Sequence, residues 1–238
     1  MQKYTRIINW LKKQVKLAKA KGVVFGLSGG VDSAVVAVLA KQAFRNKHLC
    51  LFLSCNSSRQ DRADVKLLSK KFELNTKYID LTPVYEKLKL LLPKANKRCL
   101  GNLKARLRMA VIYYFANKLN FLVCGTSNKT ELSVGYFTKY GDGACDIVPL
   151  GNFLKTEVRE LAFKLGILKR IIDKPPSAGL WQGQTDEKEL GVSYAELDQV
   201  LWCLEHKAPQ VSAKDRFFKI KRLIKNSLHK RCLPKIYV

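Results

Sequence analysis

Short apolar runs, each giving way to a stretch with helical spacing, constrain this chain more than any other feature. Such runs fall at 23–27, 49–53, 78–81 and 121–124, with a fifth strand expected at 147–150. Helical patterns over 3–20, 34–43, 61–72 and 102–118 precede and separate them, and Thr82-Pro83 is expected to cap and open a further helix. Strands alternating with helices imply right-handed crossovers. The expected fold is therefore α/β, a parallel doubly wound sheet of about five strands with helices on both faces. Further on, 156–165 reads as a helix closed by Gly166 and 173–189 as a loop. Ser193-Tyr194-Ala195-Glu196 reads as a capping box opening a helix to about His206, and 213–228 as a basic helix. One domain over 1–238 is expected, since 238 residues at 47% hydrophobic content supply a full core. In such sheets ligands bind beyond the carboxyl ends of the strands, where the strand order switches.

Charge is the outlier, with 44 Lys and Arg against 19 Asp and Glu, a net of +25. An excess of this size favours anionic partners: nucleic acid, acidic membrane or phosphorylated small molecules. It is uneven, because 173–205 carries seven acids against Lys174 and Lys188. A lysine-rich surface that merely solvates the fold suits the count as well, so charge does not choose among these partners. The seven cysteines include no C-x-x-C pair. Cys50 and Cys124 lie within apolar runs and read as small buried hydrophobes of a reducing compartment, and a zinc site is not expected. The N-terminal stretch is amphipathic and lysine-rich without a signal-like core, and no apolar run reaches about 18 residues. The chain is expected to be soluble and cytoplasmic.

The chemistry concentrates after the first apolar run, in Gly26-Leu27-Ser28-Gly29-Gly30-Val31-Asp32-Ser33. Glycines let the backbone approach an anion, the helix N-terminus points free N–H groups at it, and Ser28 and Ser33 add hydroxyls. Asp32 cannot itself bind phosphate, so a carboxylate here suggests a Mg²⁺ that neutralises a polyphosphate. No G-K-[ST] follows and no G-x-G-x-x-G occurs. The string resembles instead the S-G-G-x-D-S loop of the ATP pyrophosphatases, the PP-loop superfamily. That resemblance implies an adenine nucleotide alpha-hydrolase-like fold and cleavage of ATP to AMP and pyrophosphate through an adenylated substrate.

Four further stretches narrow the resemblance. Gly101-Asn102-Leu103-Lys104-Ala105-Arg106-Leu107-Arg108-Met109 is similar to a helix of the NAD synthetases. Gly125-Thr126-Ser127-Asn128-Lys129-Thr130-Glu131, followed by Gly135 to Gly143, is similar to that family's most distinctive region. Lys174-Pro175-Pro176-Ser177-Ala178 with Asp186-Glu187-Lys188-Glu189-Leu190-Gly191, and His229-Lys230-Arg231 with Pro234, complete the set. The resemblance implies amidation of deamido-NAD to NAD⁺ with ammonia, ATP as co-substrate and Mg²⁺. It assigns Asp32 and Glu131 to the metal. It assigns 26–33, Thr126, Lys155 and Ser177 to ATP, with Lys155 on a phosphate. It assigns Arg106, Lys139, Asp146, His229 and Lys230 to deamido-NAD. Tyr136, Phe137 and Tyr140 offer stacking surface or plain core. It also implies a homodimer with the substrate site at the subunit interface.

Plain alternatives stand beside these roles. Arg106 and Arg108 could snorkel or pair with acids. Glu131 and Lys155 could be solvated, and His229 could be structural. The sequence departs from the family pattern at Gly179, where many members carry Asp, and in 54–61, which leaves the adenine contacts open. No glutamine-hydrolysing constellation stands out, so free ammonia is the expected nitrogen source. The competing readings are a PP-loop tRNA-modifying enzyme adenylating an RNA base and a nucleotide-binding relative without turnover. The first lacks a C-x-x-C, and intact Asp32, Glu131 and Lys155 weigh against the second.

Overall fold

The structure, a computed structural model, describes residues 2–209 and 213–237. In chain order the elements are α1 (Gln2–Leu17), β1 (Gly22–Gly26), α2 (Val31–Phe44), β2 (His48–Ser54), α3 (Arg59–Phe72) and β3 (Thr76–Asp80). Then come α4 (Thr82–Leu91), α5 (Lys97–Leu119), β4 (Phe121–Val123), α6 (Lys129–Val134), α7 (Lys155–Lys164) and α8 (Lys169–Ile172). The chain finishes with α9 (Asp186–Leu190), α10 (Tyr194–His206), α11 (Lys214–Asn226) and α12 (Leu228–Arg231). The four strands pair in parallel in the order β3-β2-β1-β4. From β1 the chain steps outward to β2 and β3, then returns to place β4 on the other side of β1. The carboxyl ends of β1 and β4 therefore flank the switch in strand order, where a crevice forms.

The period-2 geometry of the strands sends alternate residues into two cores. Val23, Phe25, Cys50 and Phe52 face one core with α1, α2, α3 and α7, whereas Val24, Leu49, Leu51 and Leu53 face a second with α4 and α5. Helix α2 is apolar nearly all round because it is enclosed by the sheet, α1 and α7. A third, smaller cluster of Val134, Leu190, Leu197, Val200 and Ile220 packs α6, α9, α10 and α11 together.

Three sequence expectations change. The expected fifth strand at 147–150 is only an isolated parallel bridge between Cys124 and Ile147. Pro149 has no N–H to extend a ladder, which ends the pairing there. The expected loop over 173–189 contains the start of α9 at Asp186, a helix of a single turn and therefore too short to show periodicity. Thr82 is the first residue of α4 rather than its cap, and its N–H is taken by the Asp80 carboxylate at 3.0 Å. Among the described residues no helix is long and apolar enough to cross a membrane.

Candidate active site

The turn after β1 is held by its own serines. Ser28 N–H donates to Ser33 Oγ (3.2 Å), the two hydroxyl oxygens lie 3.0 Å apart, and Gly30 N–H donates to Ser28 Oγ (3.2 Å). Gly29 takes φ +85°, and a Cβ there would lie 3.0 Å from the Asp61 carbonyl oxygen, so both conformation and space call for glycine. Gly30 caps α2 without any side-chain hydrogen bond. The first N–H groups of α2 therefore face the crevice uncapped by any side chain, the arrangement that binds phosphates.

Lys155 reaches this turn from the start of α7. Thr130 Oγ1 accepts the Lys155 N–H at 3.0 Å, and Asp198 accepts the Thr156 N–H at 2.8 Å and also the Thr130 hydroxyl. These bonds fix the helix start, and the side chain, 4% exposed, contacts Asp32 Oδ2 and lies 3.2 Å from Glu131 Oε1. Burial works against the Lys155 charge, but Asp32 and Glu131 overcome it and hold its pKa above the ordinary value. Burial pushes Glu131 up; Lys155 opposes the rise, and the charges of Asp32 and Asp186 add to it. Asn128 completes the cluster by donating from Nδ2 to Asp32 Oδ1 (2.8 Å) while its Oδ1 accepts the Glu131 N–H (3.0 Å). Asn128 has no assigned role in the sequence pattern; the signal that marks it is the capping box Asn128–Glu131 that opens α6.

Behind Glu131 lies a network the sequence reading did not assign. Tyr194 OH donates to Asp186 Oδ2 (2.9 Å) and lies 3.4 Å from Glu131 Oε1, and the Lys155 ammonium sits 5.0 Å from the centre of its ring. Asp186 Oδ1 accepts Ala178 N–H and Tyr136 OH, each at 3.0 Å, and Tyr136 OH also meets Glu189 Oε2 at 2.6 Å. Burial raises the pKa of Asp186 and keeps both phenols protonated.

One cavity of about 990 Å³ joins the turn, Lys155, Glu131, Thr126 and Ser177 to Arg106, Lys139, His229 and Lys230. Of the sequence-assigned residues, Gly29 and Asp146 are outside its lining. The Asp146 carboxylate is engaged by Val123 N–H (2.7 Å) and Tyr113 OH (3.2 Å) at the end of β4. Lys230 donates to the Gly135 and Phe137 carbonyls (both 2.8 Å), Lys139 to the His229 carbonyl (2.6 Å), and Arg106 to the Lys139 carbonyl (3.2 Å). The exposed His229 ring lies 3.1 Å from the carbonyl oxygen of Asn226, at the end of α11. Seven basic and six acidic side chains line the cavity, so the surplus of +25 lies almost wholly on other surfaces.

The donor set suits a hard cation only in part. Among the described residues no group of three or more His, Cys, Asp or Glu converges as a metal cage. Asp32 and Glu131 nevertheless offer two carboxylates beside the phosphate turn, and Mg²⁺ is commonly held by one or two carboxylates plus substrate phosphates. The residues present fit that mode.

The sheet order, the glycine–serine turn at the switch point and the buried lysine facing it define a parallel α/β nucleotide-binding protein of the PP-loop class. The chain belongs to the NAD synthase family, whose model, described as NAD synthase, matches residues 3–234. It is 43% identical over 240 residues to the NH(3)-dependent NAD(+) synthetase of Carboxydothermus hydrogenoformans, covering 99% of this chain and 96% of that one. It is 45% identical to the enzyme of the same name from Methanocaldococcus jannaschii, covering 96% and 93%. Among solved structures it resembles an NMN synthetase from Francisella tularensis (TM-score 0.90, 41% identity, 98% of this chain and 96% of that chain). It also resembles the NH3-dependent NAD synthetase of Campylobacter jejuni (TM-score 0.86, 29% identity, 99% and 97%).

Proposed function

We propose that this chain is an ammonia-dependent NAD⁺ synthetase, a ligase of NAD biosynthesis that amidates deamido-NAD while cleaving ATP to AMP and pyrophosphate. The observation that carries the reading is the meeting of the uncapped α2 N-terminus with Lys155, Asp32 and Glu131 in one cavity, within a chain of this family.

The nicotinate carboxylate of deamido-NAD attacks the α-phosphorus of ATP, and the bond to the pyrophosphate oxygen breaks. Ammonia then attacks the acyl carbon, AMP departs with the former carboxylate oxygen, and a proton is lost. The turn 28–33 and the α2 N-terminus hold the departing pyrophosphate, and Lys155 neutralises charge on the transferring phosphate. Asp32 and Glu131 orient the Lys155 ammonium, and they would hold Mg²⁺, which when bound supplies charge neutralisation of the polyphosphate. Thr126 and Ser177 contact ATP. Arg106, Lys139, His229 and Lys230 meet deamido-NAD from the far wall. Asp146 acts there through the end of β4, where it fixes Val123. The protein works in the cytoplasm as a homodimer, with deamido-NAD across the subunit interface and residues 1–238 as one domain. A monomeric mass at micromolar concentration with full activity would overturn the dimer.

Incubation with ATP, Mg²⁺, ammonium and acceptor tests the reading. The acceptor is supplied in parallel as deamido-NAD and as its mononucleotide counterpart, since one relative bears the name NMN synthetase. Equal yields of NAD⁺, AMP and pyrophosphate are expected with the dinucleotide. Turnover of the mononucleotide alone reassigns the acceptor, and AMP release with neither product reopens it. Absence of AMP removes the catalytic reading.

A further inference from the structure

Helix α7 opens at Lys155 behind a leucine: Leu154 stands at the cap position and makes no side-chain cap hydrogen bond. The first N–H groups of α7 are taken up by other helices instead. Thr130, on α6, accepts the Lys155 N–H through Oγ1 (3.0 Å), and Asp198, on α10, accepts the Thr156 N–H through Oδ2 (2.8 Å). The Thr130 hydroxyl donates in turn to Asp198 Oδ1, so both oxygens of one carboxylate are engaged. Thr130 is fully buried and Asp198 is 4% exposed. Among the described residues no lysine, arginine or histidine pairs with Asp198. A buried carboxylate without a cation is costly, and here it is offset by two hydrogen bonds and the positive end of the α7 dipole. A serine or asparagine at 154 would cap α7 locally without that cost. What the distant carboxylate adds is a tie between three helices.

We infer that Asp198 is a positioning residue for the reaction, holding α6 and α7 in the register that brings the Lys155 ammonium to Asp32 and Glu131. The inference rests on the proposed role of Lys155 at the transferring phosphate. Thr130 directly precedes Glu131 in α6. The hydroxyl that receives the Lys155 backbone and the carboxylate that lies 3.2 Å from its ammonium are therefore on consecutive residues. Asp198 holds the first of these contacts, and its own backbone is set by Leu197 and Val200, buried in the cluster that packs α10 against α6 and α11. Loss of the carboxylate frees α7 to shift against α6. A displacement of about 1 Å at the ammonium is enough to cost about 100-fold in a step that depends on placed groups. The grip on ATP in the ground state is shared with the 28–33 turn and the α2 N-terminus, so the loss falls on kcat.

The test is the kinetics of AMP formation with ATP, Mg²⁺, deamido-NAD and ammonium, at a temperature where every variant is folded. Asp198→Asn leaves one acceptor oxygen for two donors. It is expected to lower Tm, to lower kcat at least about tenfold and to move the KM for ATP less than about threefold. Leu154→Ser, added to Asp198→Asn, supplies a local cap. Tm is expected to recover, and kcat to recover less than about twofold. Recovery of kcat together with Tm shows a cap and nothing more, and overturns the inference. So does a wild-type kcat in Asp198→Asn, or a loss confined to KM. Thr130→Val keeps the Asp198–Thr156 bond, cuts the tie to α6 and is expected to lower kcat by a similar factor. If Asp198→Asn does not fold, or the serine does not restore Tm, a Thr130→Val kcat within about twofold of wild type overturns the inference by itself. A wild-type protein that forms no AMP fails the reading of Lys155 and the ATP site instead.

Discussion

Lys155 and Asp32 stand 123 residues apart in the chain and meet as an ion pair, the lysine buried and the aspartate partly buried, at the mouth of the α2 N-terminus. The Lys155 ammonium is not free to solvate, so it depends on Asp32 and Glu131. Removing one member of such a pair strands the others. Lys155→Met is expected to lower stability by about 3–5 kcal/mol in denaturant unfolding, since a buried charge loses its partner. AMP formation should fall at least about 100-fold, the usual cost of losing a group that stabilises transition-state charge. A variant within tenfold of the wild-type rate would show that the lysine holds the carboxylates apart and does nothing to the phosphate.

The carboxylates can be separated from the lysine by their response to metal. Asp32→Ala and Glu131→Ala are each expected to abolish most turnover, and any residual rate should require more Mg²⁺ than the wild type. Rates measured across a magnesium titration decide the matter. Near-normal turnover of either variant at limiting Mg²⁺ removes that residue from the metal.

Gly29 is the tightest point of the phosphate turn, with φ +85° and the Asp61 carbonyl oxygen 3.0 Å from where a Cβ would stand. Gly29→Ala should cost about 1–2 kcal/mol from the left-handed backbone alone. It should weaken ATP binding as the turn shifts away from α3. Gly179 is different: it has φ +61° but nothing within 4 Å. Gly179→Asp should fold and melt within a few degrees of the wild type, because aspartate tolerates this region better than most residues. A collapse of Gly179→Asp in thermal melts would mean that the segment is tighter than its open surroundings indicate.

Stability should also depend on pH through His48, at the start of β2. The Asn75 N–H donates to His48 Nε2 (3.2 Å), which places the ring proton on Nδ1, facing the Arg45 carbonyl. Burial lowers the His48 pKa; the Arg45 bond opposes this and Lys41 adds to the fall. The folded state therefore holds a neutral ring below the pH at which the unfolded chain, at about 6.5, takes up a proton. Stability from this group is complete above that pH and is lost as pH falls through the folded-state value. Melting temperatures from pH 7.5 to 5 should decline, and His48→Gln, which can still accept from Asn75 and donate to Arg45, should flatten part of the decline. An unchanged slope would place the acid sensitivity elsewhere.

What could be read in the sequence was what a few neighbouring residues enforce together. Val23 to Leu27 followed by Ser28-Gly29-Gly30-Val31-Asp32-Ser33 is a strand, a turn and a helix start whose physics is local, and its anion-binding character followed without any tertiary contact. The Ser193–Glu196 box marked the start of α10 for the same reason, as its two capping bonds span three residues. The resemblance of 101–109 and 125–143 to the NAD synthetases likewise needed only residue order. Tertiary structure decided which distant groups share space. It brought Lys155 to Asp32, made the helix cap Asn128 a clamp on that aspartate as well, and made Tyr194 and Asp186 a bridge between Glu131 and Ala178. It also kept Asp146 out of the cavity, because the carboxylate is engaged by the end of β4. Local patterns report hydrogen bonds within a turn or two. Contacts across a hundred residues arise only when helices on both faces of a parallel sheet bury their apolar sides, and that burial sets which polar side chains must find one another in the crevice.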